Sequence, residues 1–186
     1  MTSVLKEFEP VFSPKSVAII GASRNPVKLG YQSLKALLDA GYQGKIYPIN
    51  PNAETIGEHK AYPSILDVPD EIDLAVISLP SFEVLDAVKD CARKGGKGVV
   101  IFASGFKELD EQGAQMEKEI ARVCNARGIK IIGPNTIGLM NSYSNLNASF
   151  GPMGKLPRGN ISIVSQSGGM GTTLVAYLLE SELGFS

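Results

Sequence analysis

The residues best suited to chemistry lie in a loop bracketed by Gly21 and Gly30, GASRNPVKLG, directly after the apolar run VAII. Gly21 permits a tight turn, Ser23 offers a hydroxyl and a possible helix cap, Arg24 and Lys28 supply positive charge, and Gly30 allows close approach of two backbones. A helix opening at Gly30 would aim its free N–H groups at the same space, which suits an anion. A phosphate-bearing ligand is the natural occupant, although the loop by itself is equally a plain strand-to-helix turn.

The spacing matches neither G-x-G-x-x-G nor G-x-x-x-x-G-K-[ST], so the dinucleotide and nucleoside-triphosphate fingerprints are both missing. The next apolar run ends in PINPN, without the Asp or Glu that would hold a ribose 2′-hydroxyl in an NAD site. Two further runs end in SLP (78–80) and ASGF (103–106), which places the small or rigid residues Ser78, Pro80, Ser104 and Gly105 on the same sheet edge as Gly21. A second anion-type element is SQSGG (165–169), where Ser165 and Ser167 close a strand and a helix opens at Gly168 and Gly169. In GPNT (133–136), the Asn135 amide can donate to an acyl or phosphoryl oxygen. A serine-hydrolase elbow at Ser167 is disfavoured, because residue 165 is Ser where G-x-S-x-G needs Gly and the only histidine, His59, precedes it.

These loops need a scaffold, and the sequence supplies alternating elements. Apolar runs at 16–22, 45–50, 73–79, 97–104, 129–133 and 160–166 read as strands covered on both faces. Between them, Leu34, Leu37 and Leu38; Val84, Val88 and Cys91; Met116, Ile120, Val123 and Cys124; and Leu174 and Leu178 recur at helical spacing. The alternation predicts an α/β fold with a doubly wound parallel sheet. Residues 134–159, rich in Asn, Ser, Gly and Pro, read as a connecting segment. The expected organisation is a domain at 1–134, a connection at 135–159, and at 160–186 the first strand and helix of a second, incomplete domain.

With 186 residues and 44% hydrophobic content, the chain has enough apolar material for a real core. A net charge of −1 excludes a global electrostatic case for nucleic acid or an anionic membrane. The start MTSVLKEFEP has no signal-peptide pattern and no run suits a membrane span, so a cytoplasmic protein is expected. Cys91 and Cys124 lack metal or redox spacing and read as reduced core residues. His59, in GEHKAYPS, reads as a solvent-facing side chain, and no metal site is expected.

Taken in order, GASRNPVKLG, YPINP, DLAVISLP, IIGPN and SQSGG resemble the α chain of ADP-forming acyl-CoA synthetases, relatives of succinyl-CoA synthetase, over about residues 10 to 186. The resemblance implies a Rossmann-type coenzyme A domain followed by the start of a flavodoxin-like ligase domain. It implies that Ser23, Arg24, Pro26 and Lys28 surround the CoA phosphates on the turn made by Gly21, Ala22 and Gly30. Asn50 and Pro51 then border the adenosine, Ser78, Pro80, Ser104 and Gly105 line the pantetheine path, and Asn135 lies near the thiol end. Where succinyl-CoA synthetase has an acidic residue before the glycine of the fourth strand's loop, this sequence has Ser104. Ser165, Ser167, Gly168 and Gly169 match the helix start that receives a phosphorylated histidine, a residue expected well downstream.

The implied reaction joins a carboxylic acid, CoA and a nucleoside triphosphate through an acyl phosphate and a phosphohistidine. ATP or ADP with Mg would enter only through other domains or an ATP-grasp β subunit, and an oligomer is expected. Two other readings stand beside it: a stand-alone CoA- or nucleotide-binding regulatory module, and the synthetase-like regulatory region of a protein acetyltransferase.

Overall fold

The computed structural model describes residues 3–151 and 153–186. Five parallel strands form the central sheet: β1 (Ser16–Ile20), β2 (Lys45–Ile49), β5 (Leu74–Ile77), β6 (Gly98–Ile101) and β7 (Lys130–Ile132), in the order β2-β1-β5-β6-β7. Two-residue strands β3 (Thr55–Ile56) and β4 (His59–Lys60) make a small antiparallel ribbon after β2. The helices are α1 (Ser3–Phe12), α2 (Leu29–Asp39), α3 (Ser81–Lys94), α4 (Glu111–Arg127) and α5 (Gly168–Glu180).

Strand residues alternate between two cores, as the period of two in an extended chain dictates. Ala18, Ile20, Ala75, Ile77, Val99 and Ile101 pack with Val84, Val88 and Cys91 of α3 and Ile120 and Cys124 of α4. Val17, Ile19, Leu74, Val76 and Val100 point the other way, onto Leu34 and Leu37 of α2 and Val11 of α1. Both cysteines are fully buried, and burial pushes their thiols up to about 12 for Cys91 and about 11 for Cys124. α3 and α4 each end on a left-handed glycine, Gly95 and Gly128, with Arg93, Lys94 and Arg127 in their last turns.

Three features differ from the sequence-based expectation. First, α1 is an additional helix ahead of the first strand; its Val11 is fully buried in the second core, and Lys130 reaches back to Glu7 at 2.8 Å. Second, residues 134–159 are not a bare connection, because β8 (Gly138–Asn141) and β9 (Leu146–Ser149) form an antiparallel hairpin. Its Leu139, Leu146 and Ala148 belong to the core under α2. Third, the strand expected at 160–166 is β10 (Arg158–Ile161), which bridges to Phe185 and not to the main sheet, so Ser165 and Ser167 lie in the loop between β10 and α5 instead of closing the strand.

Residues beyond the hairpin gather a third, small cluster of Leu156, Val175 and Phe185, with Met140, Ile163, Leu178 and Leu179 against it. Leu178 and Leu179 are therefore partly covered, whereas Met170, Leu174 and Tyr177 of α5 remain exposed. Among the described residues, no helix is long and apolar enough to cross a membrane.

Candidate functional site

The order of the sheet reverses between β1 and β5: from β1 the chain first crosses outward to β2, then back past β1 to β5. Crevices beyond the carboxyl ends of strands at such a point are the standard ligand position in α/β sheets. An open cleft of about 760 Å³ lies there, lined by the ends of β1, β2 and β5 and by one face of α3. That volume falls within the roughly 300–1,000 Å³ typical of small-molecule sites.

The loop after β1 is built by backbone packing. Gly21 has φ +86, a left-handed conformation that favours glycine, and its N–H and that of Ala22 both donate to the Ile49 carbonyl at 3.2 Å. A Cβ on Gly30 would stand 2.0 Å from the Gly21 carbonyl oxygen and 2.8 Å from Ser78 Oγ, so the start of α2 is pressed onto the turn. Asn50 clamps the turn from the β2 side: its Nδ2 donates to the Ala22 carbonyl at 2.7 Å while its Oδ1 accepts from the Asn52 N–H at 2.8 Å. Ser78 Oγ donates to the Gly21 carbonyl at 3.3 Å. The loop itself is pinned by Ser23 Oγ and Asn25 Oδ1, which accept from the Asn25 and Val27 N–H groups at 3.0 Å each. Lys28 occupies the position before α2 without a side-chain cap, leaving the helix start open to an incoming anion.

Of the residues singled out in the sequence, Gly21, Ala22, Ser23, Lys28, Asn50, Pro51, Ser78 and Pro80 line this cleft. Arg24 and Pro26 sit in the exposed part of the same loop, outside the lining, and Gly30 acts behind it through packing. Sequence reasoning missed Asn52, Pro63 and Ser64, and the α3 residues Phe82, Glu83, Asp86 and Asp90. The α3 residues had a legible signal, since 83, 86 and 90 share one helix face opposite the buried Val84, Val88 and Cys91.

Ser104 and Gly105 lie farther along the same edge, where a Cβ on Gly105 would stand 3.1 Å from Ser81 Oγ at the start of α3. An acidic group does stand at this loop: Glu108 accepts from the Gly105 N–H at 2.8 Å and the Phe106 N–H at 3.2 Å, and Asn135 Nδ2 donates to it at 3.4 Å. The Gly105 N–H, with other backbone amides beside it, holds the Glu108 carboxyl below the usual carboxylate range. Asn135 is in the left-handed region with φ 55, and its N–H donates to the Ala103 carbonyl at 2.9 Å. The amide expected to act as a donor is thus tied into the Gly105–Glu108 loop.

The SQSGG element forms a capped helix start. Ser167 Oγ accepts from the Met170 N–H at 3.3 Å, and Ser165 Oγ accepts from the Ser167 N–H at 3.2 Å. A Cβ on Gly168 would meet Ile137 at 3.0 Å, so this helix start leans on the segment just after Asn135, while Gly169 faces open space. None of Asn135, Ser165, Ser167, Gly168 or Gly169 lines the cleft. His59 lies in the β3–β4 ribbon and is half-buried, not fully solvent-facing.

Residues 15–142 match the family described as CoA binding domain. The chain is 45% identical over 164 residues to acetate–CoA ligase [ADP-forming] II of Archaeoglobus fulgidus, covering 88% of this chain and 24% of that protein. It is 43% identical to the α subunit of acetate–CoA ligase [ADP-forming] II of Pyrococcus furiosus, covering 94% of this chain and 38% of the subunit. A solved dinucleotide-forming acetyl-coenzyme A synthetase 1 from Ca. Korarchaeum cryptofilum, in complex with phosphate and ADP, superposes with a TM-score of 0.90 at 41% identity, over 95% of this chain and 38% of that one. The chain thus spans between about a quarter and two fifths of the length of these relatives. With its parallel sheet, its switch-point cleft and a matching segment that runs from β1 into β8, the chain belongs to the CoA binding domain family.

Proposed function

We propose that this chain binds coenzyme A in the switch-point cleft and is the CoA-binding portion of an ADP-forming acyl-CoA synthetase. The observation that carries this reading is the loop from Gly21 to Gly30, clamped by Asn50 and Ser78 at one end of a cleft large enough for an extended ligand. The open start of α2 and the Lys28 ammonium, with Arg24 and Pro26 in the flanking loop, suit the phosphates. Asn50 and Pro51 border the adenosine. Ser78 and Pro80, then Ser104 and Gly105, trace a path along the sheet edge for the pantetheine arm, which brings the thiol toward Asn135.

In the proposed whole reaction, acid, CoA and nucleoside triphosphate give acyl-CoA, nucleoside diphosphate and phosphate. The CoA sulfur attacks the carbonyl of an acyl phosphate, and phosphate leaves. This chain's part is to fix the thiol and to offer, at Ser165, Ser167, Gly168 and Gly169, a helix start for a phosphoryl group carried on a histidine elsewhere in the synthetase. An ATP-grasp subunit or domain would supply the nucleotide chemistry. A cytoplasmic location and an oligomeric state belong to the same reading.

The test is a pair of variants titrated with CoA and dephospho-CoA. Lys28→Ala should weaken CoA binding by about tenfold or more, the scale of a lost charge-assisted hydrogen bond. Arg24→Ala, outside the lining, should cost less. A larger loss for CoA than for dephospho-CoA places Lys28 at the ribose 3′-phosphate and equal losses place it at the pyrophosphate, whereas unchanged CoA binding in both variants would contradict the phosphate assignment.

A further inference from the structure

The cleft has two chemically different walls. One carries Lys28 and the open start of α2; the other is the outward face of α3, with Glu83, Asp86 and Asp90. Asp86 and Asp90 are paired with Lys89 at 2.7 Å and Arg93 at 3.0 Å, while Glu83 has no ion-pair partner among the described residues. Carboxylates repel phosphates and accept from amino groups, so a polyanionic ligand must lie with its phosphates toward Lys28 and its neutral or amino-bearing end toward α3.

Phe82 stands on that same wall and is the one aromatic side chain among the described lining residues. Of the other large apolar lining residues, Ile20, Ile49 and Ile65 are buried in the floor and Leu79 is half-buried, but Phe82 is 73% exposed. It takes no part in the core face of α3, formed by Val84, Ala87, Val88 and Cys91. A flat apolar ring left uncovered at the mouth of a nucleotide-sized cleft is a stacking surface without its partner. The only aromatic group in CoA is adenine.

We infer that Phe82 is the stacking platform for the adenine ring, and that the carboxylate wall beside it fixes the direction in which CoA lies in the cleft. This rests on the CoA reading above and deepens it by adding a stacking residue, across the cleft from Asn50 and Pro51, to the base end of the site. Stacking on an aromatic side chain is sequence-tolerant and worth a measurable share of affinity, so Phe82→Ala should weaken CoA binding about 5- to 100-fold. Because the ring is exposed, the variant should unfold at the same denaturant concentration as the parent.

The sequence contains no tryptophan, so Phe82→Trp gives a single indole whose fluorescence reports on this position alone. The full chain carrying Phe82→Trp is titrated with CoA, with adenosine 3′,5′-bisphosphate and with 4′-phosphopantetheine. Quenching by CoA and by the bisphosphate, but not by the pantetheine fragment, is the expected result. Quenching by CoA and the pantetheine fragment alone would overturn the assignment and move the arm to Phe82. CoA binding that calorimetry detects unchanged in Phe82→Ala would overturn it while leaving the CoA reading intact. Absence of CoA binding by the parent chain would defeat both.

Discussion

Gly30 shows how much of the site depends on one missing side chain. Its hypothetical Cβ meets backbone, the Gly21 carbonyl at 2.0 Å, and backbone at a tight turn cannot step aside as a flexible side chain would. Gly30→Ala should therefore destabilise the fold by about 1–3 kcal/mol in urea unfolding and weaken CoA binding together. An unchanged midpoint would contradict the close contact. Glu108 offers a second test, through pH. Its folded pKa is lowered, first by the Gly105 N–H, so the stability it contributes is present above the ordinary Glu value and lost as pH falls through the folded one. The Gly105 amide resonance should therefore titrate with a midpoint below the unperturbed Glu value of about 4.3, and Glu108→Gln should abolish that titration. A midpoint at or above that value would contradict the loop bonds.

At the scale of elements, the hairpin β8–β9 packs into the core beneath α2. Leu146 is buried beneath α2 with Leu34 and Leu37, so Leu146→Ala should cost about 2–5 kcal/mol in the unfolding of the whole parallel-sheet unit. A loss confined to a separate, weaker transition would instead place the hairpin outside that unit. The five sheet strands were legible because each is built on a short apolar run, LAVI in β5 being the plainest, and α3 and α4 because their buried residues keep helical spacing. The hairpin was not, for a physical reason. Asn147 and Ser149 are buried yet polar, and they are satisfied locally: Asn147 Nδ2 donates to the Met153 and Gly154 carbonyls, and Ser149 Oγ to Asn147 Oδ1. Partners supplied by the return of the chain leave no periodicity to read. The glycine turn and Ser78 were found from residue type, and Asn50 came from the family resemblance; the acidic face of α3 was readable in its spacing, but its place on the cleft wall, like the Asn135–Glu108 contact, became visible only when separate segments met.

Over the whole molecule, charge and shape divide the work. The net charge is −1, so attraction for a polyanion has to be local, and it is concentrated at Lys28 and the start of α2, facing a carboxylate wall. The SQSGG helix start lies away from the cleft but against Ile137, two residues from Asn135, so one short segment joins the proposed thiol end of the path to the helix start proposed to receive a phosphoryl group. The central claim is that this architecture takes coenzyme A. The measurement that tests it most directly is calorimetric titration of the purified chain with CoA, repeated in the presence of NAD. Saturable one-to-one binding that NAD does not displace is the predicted result. No binding of CoA, or preference for NAD, would contradict the account.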